Sequence, residues 1–169
     1  MLQSSDNLIK PTPSSKRSEW MALLARSPLE MLEQALKRYV TDTPLWLRRP
    51  ETGLMMIEGR MGGTGARFNV GEVTVTRCAL RLARAAADAP VGIAYVLGRS
   101  HQHAYLAATA DALLLSPEHN DLEQTLLAPI REHLAQIKKN RQQQADSSKV
   151  EFFTVARETG QDNDSESSE

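Results

Sequence analysis

The stretch "GLMMIEGRMGGTGARFNVGE", residues 53–72, holds six of the nine glycines in a chain of 169 residues. It lies between two apolar segments, and Arg60 and Arg67 flank its densest run of glycines. Glycine-rich loops either make a tight turn or bring backbone N–H groups close to a phosphate. The fold and the function both depend on which of these roles the segment serves.

The segment after the glycines, "RFNVGEVTVTRCALRL", alternates with a period of two, which predicts a β-strand. One face of this strand carries Val73, Val75, Arg77, Ala79 and Arg81. The other face carries Thr74, Thr76, Cys78, Leu80 and Leu82. Before the glycines, "LWLRRPETGLMMIEGRM" mixes apolar and polar residues around a Pro-Glu-Thr-Gly break, which predicts strand, turn and strand.

Two later segments also predict strands. "PVGIAYVLG", residues 90–98, predicts a buried strand that the preceding strand reaches by a hairpin. "VEFFTVAR", residues 150–157, is aromatic and β-branched and predicts a closing strand. The Ala-rich "ARAAADA" between the second and third strands has high helix propensity, so the end of the second strand stays open.

Helical patterns occupy the remaining segments. "SEWMALLARS" has Ser18 as a candidate N-cap, and "PLEMLEQALKRY" repeats apolar residues with a 3.6-residue period after Pro28. "RSHQHAYLAATADALLL" has Ser100 as its candidate cap, and residues 116–144 predict a further helix that Pro129 kinks or splits. Helices, central strands and helices again predict an α+β fold with a mainly antiparallel sheet and flanking helices.

The composition predicts one domain with polar ends. Residues 1–18 are Ser- and Pro-rich and predict a disordered extension, and residues 158–169 predict a disordered acidic tail, leaving residues 19–157 as the domain. The whole chain carries 20 bases against 21 acids, and the tail contains five of the acids, so residues 1–157 carry about +4. This weak excess suits an anionic small molecule or an acidic partner, and we expect no binding of nucleic acid.

Cysteine content and hydropathy predict the compartment. Cys78 is the single cysteine, which excludes an internal disulfide and fits a reducing environment. The N-terminus lacks the charged and then apolar layout of a signal peptide, and no apolar run approaches the ~20 residues of a membrane helix. We therefore expect a soluble cytoplasmic protein that does not bind membranes.

The glycine segment matches neither familiar nucleotide-binding loop. A P-loop requires Gly-Lys-Ser/Thr at the start of a helix, and a dinucleotide-binding loop requires G-x-G-x-x-G between a strand and a helix. Here Gly65 precedes Ala66 and Arg67 and then a strand pattern. A flexible hairpin connection is one interpretation of the glycines. The other is an anion- or interface-binding surface, with these candidates: Arg60, Gly62, Gly63, Thr64, Gly65, Arg67, Arg77, Arg81 and Arg99.

Reactive side chains do not form a recognisable catalytic pattern. His101 and His103 are two residues apart at a helix start, and no cysteine or acidic group accompanies them at ligand spacing, so no metal site is expected. Cys78 has no identifiable base beside it. The catalytic residues, if this chain has any, stay unknown.

Several segments resemble the PhnG subunit family of the bacterial carbon–phosphorus lyase system. The resemblance covers about residues 20–157 and is carried by the residues 51–82, by "VGIAYVLGRSHQHA", by "ADALL" and by "VEFFTVAR". Within the first of these, "RMGGTG...F..GE.T.TR" is the most specific pattern.

The resemblance implies a partner set and a reaction. Members of this family work in a hetero-octameric core complex with PhnH, PhnI and PhnJ, and PhnL assists. The complex couples an alkylphosphonate to ATP: the phosphonate displaces adenine and gives ribose 1-alkylphosphonate 5-triphosphate. ATP is then a substrate of the complex, and no cofactor is implied for this chain alone.

This chain departs from the family at one motif. The usual "GRD...HAE" appears here with Arg99 and His103 kept, which adds His103 to the candidates, but with Ser100 and Tyr105 in place of its two acidic residues. The expected function is an accessory subunit that supports phosphonate–ATP coupling. The alternative is a free-standing phosphate- or nucleotide-binding protein that uses the glycine loop and the arginines unaided.

Overall fold

The computed structural model describes residues 13–40, 43–82, 89–116 and 121–147. These residues form, in order, α1 (Pro13–Leu24), α2 (Leu29–Leu36), β1 (Leu45–Arg60), β2 (Arg67–Arg81), β3 (Gly92–Leu97), α3 (His101–Leu114) and α4 (Ala128–Ser147). A 3-10 turn, Met61–Gly63, joins β1 to β2, and a π-helical turn, Glu123–Leu127, precedes α4. The predicted α+β class is confirmed. The predicted closing strand and the acidic tail lie outside the described residues, as does the Ala-rich segment 83–88.

The sheet has three antiparallel strands in the order β1-β2-β3. β1 and β2 pair along their whole lengths, from Leu45 opposite Arg81 to Arg60 opposite Arg67. β3 is much shorter and pairs only with residues 75–80 of β2. The β1–β2 hairpin therefore extends well beyond the third strand.

The predicted turn inside residues 45–61 is wrong, because β1 runs through the Pro-Glu-Thr-Gly break without reversing. The register with β2 instead shifts between Arg48 and Glu51, where β1 uses one residue more than its partner. Such a bulge on an edge strand accommodates Pro50, which has no N–H to donate to a ladder. The break in the pattern marks a bulge, and the reversal of the chain occurs only at the glycines.

Helix α3 covers one face of the sheet, and this interface forms the core. Thr76, Cys78 and Leu80 of β2 and the alternate residues Ala94 and Val96 of β3 are buried on that face. The prediction of a fully buried third strand is wrong for its other face, where Tyr95 and Leu97 are 52% and 70% exposed.

The close approach of β3 to α3 depends on small residues. A Cβ atom added at Gly92 would lie 2.0 Å from the carbonyl oxygen of Ala108 and 2.7 Å from the Cβ of Ala112. Since no side chain fits there, Gly92 allows the strand to lie directly on the alanine-lined side of the helix.

Helix α1 begins at Pro13 and not after Ser18, so residues 13–18, which the sequence assigned to the extension, are helical. The added turn brings Arg17 to Asp111 of α3, with Nη2 and Oδ2 2.7 Å apart. The fully buried Asp111 carboxylate also accepts hydrogen bonds from Trp20 Nε1 at 2.8 Å and from the Ile93 backbone N–H at 2.8 Å. One carboxylate thus joins α1, α3 and β3.

Helix α2, the π-helical turn and the start of α4 contribute further residues to the core. The predicted α2 period is confirmed, because Leu32 and Leu36 are buried and pack with Leu126, Leu127 and Ile130. The predicted disturbance near Pro129 is also confirmed, as the π-helical turn ends just before it. None of the described helices is long and apolar enough to span a bilayer.

Candidate functional site

The part of the hairpin beyond β3 is the most exposed segment of the sheet. We call residues 54–74 the arm. No residue of the arm is buried, whereas Val75, Thr76, Cys78 and Leu80, which continue the same strand, are buried. Its exposed large apolar residues are Leu54, Met55, Met56, Met61, Phe68 and Val70, with exposed fractions of 46% to 78%.

The glycines at the tip of the arm make a tight turn. Gly62 and Gly63 have φ values of +60° and +79°, in the left-handed region that favours glycine. The backbone N–H groups of Thr64 and Gly65 both donate to the carbonyl oxygen of Met61. Two of the amides that could have faced a phosphate are therefore used within the turn, and the geometry supports a hairpin connection.

The two arginines of the tip bond within the hairpin. Arg60 Nη1 donates to the carbonyl oxygen of Gly65 at 2.8 Å and so fixes the turn. Arg67 lies opposite Arg60, and its Nη1 is 3.9 Å from Oε2 of Glu58. The guanidinium groups thus contribute to the shape of the loop that they flank.

Arg77 lies at the centre of the sheet, on the face away from α3. Its Nε donates to Oε1 of Glu51 on β1 at 2.7 Å, and Arg48 donates to the same oxygen. These bonds from Arg48 and Arg77 hold the pKa of the Glu51 carboxyl below its ordinary value of 4.5. Arg77 is exposed, so a ligand that recruits it must compete with this ion pair.

The candidate arginines do not converge on one ligand. Arg67 and Arg77 are ten residues apart on β2, which corresponds to about 33 Å at the rise of a strand. Arg81 follows Arg77 by about 13 Å on the same face and is half-buried opposite Leu45. Arg99 is exposed and directly precedes the Ser100 cap of α3. The arginines therefore divide into Arg60 and Arg67 at the tip of the hairpin, Arg77 and Arg81 on the three-stranded part of the sheet, and Arg99 between β3 and α3.

His103 has a structural partner. Its Nε2 lies 2.8 Å from the carbonyl oxygen of Leu24, so this nitrogen carries the proton and donates. Its backbone N–H donates to Oγ of Ser100, which confirms the predicted cap. His103 thus ties the first turn of α3 to the end of α1.

A hydrogen-bond chain at the root of the arm was not predicted from the sequence. Thr76 Oγ1 donates to the Gly98 carbonyl oxygen at 2.7 Å, so it accepts from Thr52 Oγ1 at 3.1 Å. Thr52 in turn accepts from Nε2 of His101 at 3.1 Å. The alternation of β2 placed Thr76 on the core face, but the pairing of Thr52 with it required the register across the bulge.

Cys78 is buried beneath α3, and desolvation raises the pKa of its thiol to about 11. A thiol with this pKa is overwhelmingly protonated at neutral pH and is a poor nucleophile. Among the described residues there is also no group of three or more His, Cys, Asp or Glu side chains arranged to hold a metal ion. The arrangement offers a shaped surface and no catalytic set within the part of the chain that the structure describes.

Comparisons with known proteins agree with the predicted resemblance. Residues 15–158 match the model of the family described as phosphonate metabolism protein PhnG. The chain is also 36% identical over 145 residues to the alpha-D-ribose 1-methylphosphonate 5-triphosphate synthase subunit PhnG of Rhizobium meliloti (strain 1021). That alignment covers 85% of this chain and 90% of the relative.

Proposed function

Because this chain belongs to the PhnG family, we propose that it is an accessory subunit of a synthase that transfers an alkylphosphonate onto the ribose of ATP. The observation that carries the proposal is the 36% identity, over 85% of this chain and 90% of the relative, to a protein named as a subunit of alpha-D-ribose 1-methylphosphonate 5-triphosphate synthase. The long matched region includes the hairpin, most of α1, and the described helices α2, α3 and α4.

The side-chain chemistry supports an accessory role. Displacement of adenine at the anomeric carbon needs a group that protonates or stabilises the departing base, and cations that hold the triphosphate. Among the described residues, the Cys78 thiol is buried and protonated, the ring of His103 donates to a backbone carbonyl, and the ring of His101 donates to Thr52. The chain alone is therefore expected to be inactive.

The proposed partners are the companion subunits that the family resemblance implies, namely PhnI, PhnH and PhnJ, with PhnL assisting. PhnI carries the chemistry in this proposal. ATP and the alkylphosphonate enter as substrates of the assembly, and this chain binds no cofactor of its own. The name of the relative, which calls it one subunit of a synthase, supports such an assembly.

The arginines on the three-stranded part of the sheet are the proposed contribution of this chain to substrate binding. Arg77 and Arg81 share one face, and the Arg77 guanidinium is exposed. The tip pair, Arg60 and Arg67, has hairpin partners and is assigned to the shape of the loop.

A subunit-omission assay tests the proposal. Adenine release from ATP and methylphosphonate is measured with the full partner set, with this chain omitted, and with this chain alone. We expect activity only when the chain and its partners are combined. Turnover by the chain alone, or undiminished turnover by the partners without it, would overturn the accessory role.

The same assay tests the arginines separately. Arg77→Ala is expected to raise the KM for ATP about tenfold or more, the loss of one strong charge-assisted hydrogen bond. Arg141→Ala on the exposed end of α4 is the matched control and should leave KM unchanged. Micromolar binding of ATP to the isolated chain by titration calorimetry, lost in Arg77→Ala, would instead favour a free-standing nucleotide-binding protein.

A further inference from the structure

The arm has apolar side chains on both of its faces. Residues directly opposite each other in an antiparallel pair share a face. Met55 lies opposite Val73 and Phe68 opposite Gly59, on the face that continues the exposed side of the sheet, and Leu54 and Met56 occupy the other face. A ribbon that belonged to the surface of a free protein would carry apolar residues on one face at most.

The charges of the arm are few and balanced. Residues 54–74 contain Glu58, Arg60, Arg67 and Glu72, which sum to zero, and two of them form the Glu58–Arg67 pair. The segment contains no lysine and no proline, the residues that commonly protect exposed strands from association. Composition and charge both fit a surface that is covered in the working protein.

We infer that the arm inserts into an apolar cleft of a different polypeptide, which contacts both faces of the ribbon. This inference rests on the proposed function, because it requires that the chain work in an assembly. It goes further by naming residues 54–74 as the docking element. It also specifies the partner surface: an uncharged cleft whose two walls contact the two faces of the ribbon.

The size of the arm favours a cleft over a flat contact. Its strands are seven to eight residues long, or about 25 Å, and about 10 Å wide, so each face presents about 250 Å² in projection. A symmetric contact between two copies would cover one face of each, about 500 Å² in total, whereas a cleft that contacts both faces covers about 1,000 Å² in total, the lower limit for a specific interface. Contact with both faces involves all 21 residues of the arm, which lies within the 20–30 residues a side of a standard interface.

Two grooves on the described surface of this chain are poor matches for the arm of a second copy. One of them, lined by uncharged residues such as Met21 and Ile93, has a volume of about 190 Å³ and is too small for a two-stranded ribbon about 25 Å long. A groove of about 840 Å³ beside α4 combines apolar residues with the cations Arg26, Lys138 and Arg141. A neutral, apolar ribbon has no electrostatic complement there. The chemistry of the arm therefore points to a partner that is not this chain.

Co-purification tests the inference directly. The full-length tagged chain is co-expressed with the other subunits of the synthase, as wild type and as the double variant Met55→Ser, Phe68→Ser. The double variant is expected to retain about tenfold less of the partner subunits, because two large apolar side chains on one face of the arm are lost, one near its root and one near its tip. Leu47→Ser is the matched control, since Leu47 is equally exposed on β1 but lies outside the arm, and it should retain them fully.

The outcomes separate this inference from the proposed function. If wild-type chain retains no partner, the accessory role itself fails. If wild type and the double variant retain the partners equally, the docking role of the arm fails while the accessory role stands. If the wild-type chain alone forms a dimer that the double variant abolishes, a second copy occupies the arm and the inference is overturned.

A measurement on the wild-type protein avoids any effect of the variants on folding. Oxidation of methionines by dilute peroxide is followed by mass spectrometry in the free chain and in the purified complex. Met55 and Met56 are expected to oxidise about tenfold more slowly in the complex, while Met31 on α2 keeps its rate. Equal rates for the arm methionines in both samples would overturn the inference.

Discussion

The two halves of the β1–β2 hairpin have the same backbone structure but opposite surroundings. In the half that pairs with β3, Thr76, Cys78 and Leu80 are buried under α3, and the other face carries the Glu51–Arg77 ion pair. In the arm no residue is buried, and apolar side chains occupy both faces. Continuous strand pairing therefore does not make the two halves equivalent in energy or in role.

The difference shows where the stability of this fold comes from. A two-stranded ribbon is marginal in water, and it becomes stable when one face is packed against other elements. The half on α3 has that support from the close Gly92–Ala108 approach and from the Asp111 hydrogen bonds. The arm keeps its pairing as a continuation of that half, and its own apolar surface remains for a partner.

The largest effect is expected when the Asp111 carboxylate, which supports the half of the hairpin on α3, is removed. Asp111→Ala leaves the Trp20 and Ile93 N–H groups and the Arg17 guanidinium without their buried acceptor, and should lower the free energy of unfolding by about 3–5 kcal/mol. Urea unfolding of the full-length chain followed by tryptophan fluorescence measures it. Asp146→Ala on the exposed end of α4 is the control, and equal small losses would contradict the assigned role of Asp111.

A second test compares two glycines of the same sheet. Gly92→Ala places a methyl group against the Ala108 carbonyl, so we expect a loss of about 2–3 kcal/mol from overpacking. Gly53→Ala, beside the arm, meets nothing within 4 Å and should change stability by less than about 1 kcal/mol. Both values come from urea unfolding. A Gly53 variant as damaged as the Gly92 variant would show that β1 is packed next to the root of the arm in the free chain.

The smallest effect concerns Glu51, at the junction of the two halves. Its pKa is lowered by the bonds from Arg48 and Arg77, so its contribution to stability is present above pH 4.5 and is lost as the pH falls below that value. NMR titration of the carboxyl should give a midpoint below 4.5. The midpoint should rise more in Arg48→Ala than in Arg77→Ala, because the Arg48 bond is the larger cause. An unchanged midpoint in both variants would contradict the ion pairs.

Local patterns predicted most of the fold. The alternation of residues 73–82 predicted both faces of this part of β2, the glycines predicted the reversal, and Ser100 predicted the start of α3. The failures have one physical reason: they depended on partners distant in sequence. The β1 bulge at Pro50 is visible only in the register with β2, and the added turn of α1 is held by Asp111, 94 residues after Arg17.

The candidate site was predicted less completely. The sequence placed arginines around a glycine loop, and the structure shows how strand length separates them, with Arg60 bound to the loop carbonyl that it flanks. Exposed apolar residues such as Met55 and Phe68 were indistinguishable from core residues in the sequence, because alternation alone does not show which faces other elements cover. The arm became recognisable only once the short length of β3 was known.

The hydrogen-bond chain formed by His101, Thr52 and Thr76 at the root of the arm has a consequence for binding affinity. Its side-chain bonds link Thr52 of β1, Thr76 of β2 and the first turn of α3 at the point where the ribbon leaves the body. A projecting element anchored in this way keeps its direction before any encounter, so little orientational entropy is lost when it is captured. The arm is thus held in one direction before it binds. We expect substitution of His101 or Thr52 to reduce the affinity for the partner, although neither residue belongs to the arm.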